Sequence, residues 1–245
     1  DDDHIVAITN GGGIRAEIKV GDVTKNDIFT VLPFGNTVDV IYVTGAQLLE
    51  VLEASTFCLP ESIGGFPQVC GISYTISTAV PYDANAETYP ASTYYGPKTI
   101  NRVSINSING KEFKADDTYA VVTNDFCSAG GDTYYAFKST AKADKVATGV
   151  TLDQALMNYV KTELKGVIGK QYAEPQGRIL MNPFKDVKAS AWYGSYVIDL
   201  YNDGVVAGTS ATTYAPNDTL TWAAALKLLL VSSGDLKSED ATGAD

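Results

Sequence analysis

The sequence predicts an α+β fold: a mixed β-sheet domain with packed helices, followed by a small two-helix module. Three observations predict it. Strand-like and helix-like segments are interspersed over residues 4–179 without a βαβ rhythm. The texture changes around Asn182-Pro183, after which two helical stretches are joined by a Gly/Thr/Asn-rich loop. The chain of 245 residues is 45% hydrophobic, enough for one sizeable core or two domains. No apolar run approaches the roughly 20 residues that cross a bilayer, so the chain reads as soluble and globular.

The elements follow in order. His4 to Thr9 (HIVAIT) is a short buried strand that runs into a glycine turn, NGGGIR. Thr37 to Thr44 alternates apolar and polar residues as a half-buried strand does. Ala46 to Ala54 carries apolar residues at helical spacing. Val69 to Thr78 and Arg102 to Ile108 read as strands, and Asn109-Gly110 is a hairpin signal with Tyr119 to Thr123 as the returning strand. Thr151-Leu-Asp-Gln154 is a capping box that opens a helix running to Lys165 and stopping at Gly166. In the tail, Ala191 to Asn202 and Thr221 to Ser232 are the two helices.

Composition excludes some classes of function. The net charge is −11, with Lys and Arg scattered and no basic tract, which argues against a nucleic-acid polymer as partner. Cys58, Cys70 and Cys127 cannot all pair within one chain; a Cys58–Cys70 bridge is conceivable, and sequence does not decide it. No signal-peptide pattern opens the chain.

Three turns carry the chemistry. NGGGIR is neither a Walker loop nor a dinucleotide fingerprint, because no Gly-Lys-Ser/Thr follows and Arg15 and Ala16 occupy the later positions. Pro33-Phe34-Gly35-Asn36 stands just before a strand, and Asn124-Asp-Phe126-Cys-Ser-Ala-Gly-Gly131-Asp132 follows another. Each places an aromatic or cationic residue on a glycine turn at a strand end, where sheets offer a crevice. Phe34 and Phe126 are either core residues or two walls that sandwich a planar heterocycle. Base–aromatic stacking gives roughly 1–3 kcal/mol per face, so two faces would reach about the 4 kcal/mol of millimolar binding.

Taken together, NGGGIR, VLPFGN, NDFCSAGGD and the ending Glu174-Pro-Gln-Gly-Arg178-Ile179 resemble the C-terminal domain of the 5'-nucleotidase family over residues 1–180. The resemblance implies a nucleoside-binding domain within an exported two-domain metallophosphoesterase that hydrolyses nucleotides. Phe34 and Phe126 would stack on the base, and Asp132 would accept hydrogen bonds from the ribose hydroxyls. Arg15 would orient the ribose–phosphate end, while Asn10 and Asn36 would make polar contacts to base or sugar. Gly12 and Gly13, with Gly11, would let backbone approach the ligand. Two plainer roles stay open: Asn10 as a cap of its turn, and Asp132 as a brace of its own loop. The family's two divalent metal ions belong to a separate N-terminal domain. This chain offers one histidine, His4, which reads as structural, so no cofactor is expected here and no hydrolysis by the chain alone.

The tail has its own resemblance. Phe184-Lys-Asp186-Val187, Trp192, Gly204, Gly208-Thr, Tyr214-Ala-Pro216 and Leu220-Thr221 look like one surface-layer homology repeat over residues 181–235, with 236–245 a polar linker or tail. Such repeats tether bacterial proteins to cell-wall polysaccharide, which implies a secreted, wall-associated protein. Trp192 reads as a core anchor for the helix pair. The family's Thr-Arg-Ala-Glu is here Thr221-Trp222-Ala223-Ala224, without the cation that meets an anionic polymer. The alternative to the nucleotidase half is a wall-anchored, non-enzymatic nucleotide-binding or tethering module. AMP, ATP, a UDP-sugar and a cyclic nucleotide remain equally open as substrates, because stacking tolerates every base.

Overall fold

A computed structural model describes residues 2–80, 100–140 and 144–237. The chain divides into two compact units, Asp1–Tyr74 with Tyr82–Ile179 and Thr75–Pro81 with Leu180–Asp245.

The first unit is organised by a mixed five-stranded sheet in the order β3-β1-β6-β2-β7. Its strands are β1 (Ile5–Asn10), β2 (Thr37–Thr44), β3 (Pro67–Cys70), β6 (Thr118–Asn124) and β7 (Lys145–Thr151). β1 runs parallel to β6, with Ala7 opposite Val122. β2 runs antiparallel to β6, with Val38 opposite Asn124. β1 therefore ends, β6 ends and β2 begins at the same end of the sheet, and the three glycine turns converge there. β4 (Ile72–Ser77), β5 (Val103–Ile108) and β8 (Ile179–Asn182) form a separate three-stranded sheet in the order β5-β4-β8.

Helix α2 (Gly45–Thr56) is buried on nearly every side, with Leu48, Val51, Leu52 and Ala54 fully enclosed. It touches β2 and β3 of the first sheet and β5 of the second, so it is an internal layer rather than a surface helix. A capping box starts it, Thr44 accepting from the Gln47 N–H while the Gln47 side chain accepts from the Thr44 N–H. Glu53 on this helix is buried and collects the N–H groups of Ile100, Arg102 and Val103 at 3.0–3.2 Å. Burial pushes the Glu53 carboxyl up, against the pull of those hydrogen bonds.

Several expectations need correction. The stretch expected as one strand over residues 69–78 is two, β3 and β4, broken at Gly71 with φ +77°. A Cβ there would lie 2.8 Å from Asn109 Oδ1. Asn109-Gly110 does turn, with φ +47° and +75°, yet the hairpin closes only one bridge, Ile108 to Lys111. The strand expected to return is β6, which instead lies between β1 and β2 in the other sheet. α1 (Lys25–Val31), β7 and β8 were not anticipated. Half of the capping box forms, the Gln154 side chain accepting from the Thr151 N–H at 3.3 Å while Thr151 Oγ1 makes no bond, and α5 (Leu152–Thr162) ends sooner than expected. Its last turn unwinds so that the Gly166 N–H reaches the Val160 carbonyl at 2.8 Å, with Gly166 left-handed. All three cysteines are free, so no Cys58–Cys70 bridge exists.

In the second unit, Phe184, Val187, Val197 and Ile198 form a small core, with Tyr201 and Tyr214 packed on it. Asp186 accepts from the N–H groups of Tyr214 and Ala215 at 2.9 and 2.7 Å, pinning the loop to the start of the unit. α6 (Gly194–Asn202) begins three residues later than expected, after a turn closed from Gly194 N–H to Ala191 carbonyl at 2.8 Å. α7 (Trp222–Ser233) is capped by Thr221 and stopped by Gly234 at φ +79°. Trp192 is 84% exposed and anchors no core; the aromatic anchor of this unit is Phe184. Residues 238–245 of the expected tail lie outside the described residues.

Candidate functional site

The converging turns enclose a cavity of about 310 Å³. Asn10, Gly12, Gly13, Arg15, Phe34, Asn36, Phe126 and Asp132, the residues singled out from the sequence, all line it, together with Gly64. Phe34 and Phe126 are 62% and 38% exposed, so neither is a core residue. Large aromatic surface is left toward solvent here, where burial elsewhere would have stabilised the fold. A larger depression of about 840 Å³ lies between the 18–25 segment and α5; apolar and lysine side chains line it with Asp22 and Thr24, and none of the turn residues do.

The floor of the cavity is a polar chain. Asn10 Nδ2 donates to Asp132 Oδ2 at 2.8 Å, and Asn10 Oδ1 accepts from Asn124 Nδ2 at 3.0 Å and from the Cys127 thiol at 3.4 Å. Asn124 also reaches Thr9 Oγ1 at 3.0 Å, and its Oδ1 accepts from the Cys127 N–H at 2.8 Å. Asn10 makes no capping bond to the glycine turn; its side chain spans β1 to the GGD turn instead. Burial pushes the Cys127 thiol up to about 12, so it sits neutral in the network as a weak donor.

Asp132 is 4% exposed and has φ +50°, in the left-handed region, a conformation that costs a non-glycine residue about 1–2 kcal/mol. Burial raises its pKa, and the bond from Asn10 partly opposes the shift. A buried carboxylate in a strained backbone setting is a feature that concentrates at functional sites. The Arg15 guanidinium lies over Phe34 with Cζ 5.9 Å from the ring centroid, and Nη1 donates to the Gly12 carbonyl at 3.2 Å. One wall thus combines an aromatic face with an exposed cation.

The glycine turn has a reason inside the chain. Gly11 and Gly12 donate N–H bonds to the carbonyls of Phe66 and Gly64 at 2.8 and 2.7 Å. A Cβ on Gly12 would lie 3.0 Å from Gly64 Cα and from its carbonyl oxygen, so two backbones meet here with no room for a side chain. Gly64 is the lining residue that sequence reasoning missed; the Gly64-Gly65 pair was its only signal. His4 Nε2 lies 3.8 Å from Asp117 Oδ2, and its ring meets Tyr119 edge-on at 5.1 Å. Among the described residues no three His, Cys, Asp or Glu side chains gather as metal ligands, so the donor set does not fit a dinuclear centre.

At one end of the mixed sheet, three glycine turns thus close over an aromatic-walled, acid-floored cavity. The family model "5'-nucleotidase, C-terminal domain" matches residues 2–139, and the model of the S-layer homology domain matches residues 183–225. The chain belongs to the 5'-nucleotidase C-terminal domain family, and its S-layer homology domain marks it as anchored to a surface layer or cell wall. It is 40% identical over 141 residues to the trifunctional nucleotide phosphoesterase protein YfkN of Bacillus subtilis, covering 57% of this chain and 9% of that protein. It is 30% identical over 163 residues to the cell wall protein Lmo0130 of Listeria monocytogenes, covering 64% of this chain and 18% of that protein. The crystal structure of a 5'-nucleotidase precursor from Thermus thermophilus aligns with TM-score 0.58 and 33% identity, over 72% of this chain and 31% of that one. The chain therefore spans less than a third of the length of each of these relatives. No helix among the described residues is long and apolar enough to cross a membrane.

Proposed function

We propose that residues 1–180 are the nucleoside- or nucleotide-binding half of an exported 5'-nucleotidase-type metallophosphoesterase. Residues 181–235 form the surface-layer homology repeat, followed by a polar tail. The observation that supports this reading is one cavity lined by residues of all three turns, Arg15, Phe34, Phe126 and Asp132 among them. The base stacks between Phe34 and Phe126. Asp132, already accepting from Asn10 through Oδ2, offers acceptor capacity to a vicinal diol, which has two donors to give. Arg15 meets the phosphate end as an always-charged planar fork. A separate N-terminal domain, holding two divalent metal ions, performs the hydrolysis, and the repeat holds the assembly against cell-wall polysaccharide.

Calorimetric titration of the chain with adenosine and AMP tests the reading. Adenosine binds weakly, and Phe34→Ala or Phe126→Ala each removes about 1–3 kcal/mol. AMP gains over adenosine, and Arg15→Ala abolishes the gain. Equal titration curves for the parent and both phenylalanine variants would overturn the assignment.

A further inference from the structure

The two aromatic walls come from loops far apart in sequence, so the gap between them depends on what joins those loops. A single carboxylate does so beside both rings. Asp125, the first residue of α3 (Asp125–Ser128), accepts through Oδ1 from Asn36 Nδ2 at 2.7 Å and from the Thr37 N–H at 3.2 Å. Asn36 stands two residues after Phe34, and Asp125 immediately precedes Phe126. The Phe34 turn is exposed, with nothing within 4 Å of a Cβ on Gly35; its other ties, the Leu152 N–H to the Asn36 carbonyl at 2.9 Å and Arg15 over the Phe34 ring, do not join it to the Phe126 loop.

The far end of α3 is fixed to the same strand. Ser128 Oγ donates to the buried Asp39 carboxylate on β2 and accepts from Lys145 Nζ at 2.7 Å, while Lys145 Nζ lies 2.7 Å from Asp39 Oδ2. The Phe126 ring is seated on Gly131, where a Cβ would fall 2.5 Å from Cζ, and the Gly131 N–H donates to the Phe126 carbonyl at 2.9 Å. Phe126 thus stands on an element bolted to β2 at both ends and seated from beneath. Phe34 reaches that frame through the Asn36–Asp125 bond.

We infer that Asp125 is a positioning residue that sets the spacing of Phe34 and Phe126. It preorganises the slot for a planar heteroaromatic ring without touching the ring itself. The inference rests on the reading of the cavity as a nucleoside site, and only its consequence for affinity depends on that reading. Without Asp125 the Phe34 turn keeps its tie to Leu152 but loses its link to the Phe126 loop; the ligand must then set the spacing of the rings as it binds, which weakens affinity by about tenfold.

Two measurements on the full chain test it. In the free protein, amide hydrogen exchange at Thr37 accelerates in Asp125→Ala and stays near the parent rate in Asp125→Asn, whose amide oxygen still accepts both bonds. In calorimetry, adenosine affinity falls about tenfold in Asp125→Ala and stays within about twofold of the parent in Asp125→Asn. Unchanged Thr37 exchange in Asp125→Ala overturns the clamp, whatever the ligand does. Parent-like adenosine affinity in Asp125→Ala, alongside loss of binding in Phe34→Ala and Phe126→Ala, also overturns it. If both phenylalanine variants bind as the parent does, the nucleoside reading fails, and the exchange experiment still decides the clamp. Should Asp125→Ala lose its cooperative melt, Asp125→Ser, whose shorter hydroxyl cannot accept both bonds, faces the same thresholds for exchange and affinity.

Discussion

Asp132 is buried, left-handed and held by one side-chain donor, Asn10. Its raised pKa means that the neutral acid is favoured more than for an ordinary aspartate, chiefly because burial disfavours the charge. A diol needs the ionised form as acceptor, so adenosine affinity is expected to fall on acidification, beginning at a higher pH than an unperturbed aspartate would impose. Asp132→Asn should bind more weakly at neutral pH and lose that pH dependence, which titrations between pH 4 and 8 would resolve. The residues that line the cavity were legible in the sequence as candidates because each sits on or beside a glycine turn at a strand end, a local pattern. Their supports were not. Asn124, Cys127 and Gly64 reach the site through contacts more than 50 positions away along the chain, and no local pattern announces such a partner.

At the scale of elements, Glu53 shows how a buried polar group can organise a connection. It sits on the internal helix α2 and gathers the N–H groups that lead into β5. Glu53→Ala would leave those donors buried without acceptors, and a loss of about 3–5 kcal/mol is expected in denaturant melts. Glu53→Gln, which keeps one acceptor oxygen, should lose less. The sequence announced β2, α2 and the start of α5 because alternation, helical periodicity and capping boxes are local signals. It did not announce which strand pairs with which. Tyr119 to Thr123 follows a genuine Asn-Gly turn, yet β6 crosses into the other sheet, where Val121 is completely buried between β1 and β2. Strand pairing is decided by burial across the whole domain, and a turn residue cannot outweigh it. β7 escaped notice for a related reason: its residues are mostly exposed and interrupted by Gly149, so it lacks the apolar alternation that marks a strand.

At the scale of the molecule, the chain joins a 5'-nucleotidase C-terminal domain to an S-layer homology domain. Its single histidine and the absence of a metal-ligand cluster among the described residues lead to a plain expectation. With Mn²⁺ or Zn²⁺ added, the purified chain should release no more phosphate from AMP than buffer does in a colorimetric phosphate assay. Release at enzymatic rates would place a catalytic centre within these residues. Asp132 has a consequence at this scale as well. A carboxyl whose pKa is raised by folding lends stability below its unfolded pKa and withdraws it as pH rises through the folded value. At neutral pH, therefore, the charge proposed to hold the ribose works against the fold that carries it. Endurance and recognition pull in opposite directions at this one position: a lineage selected only for thermal toughness has reason to abandon the carboxylate, and one that keeps it has reason to be still using the site.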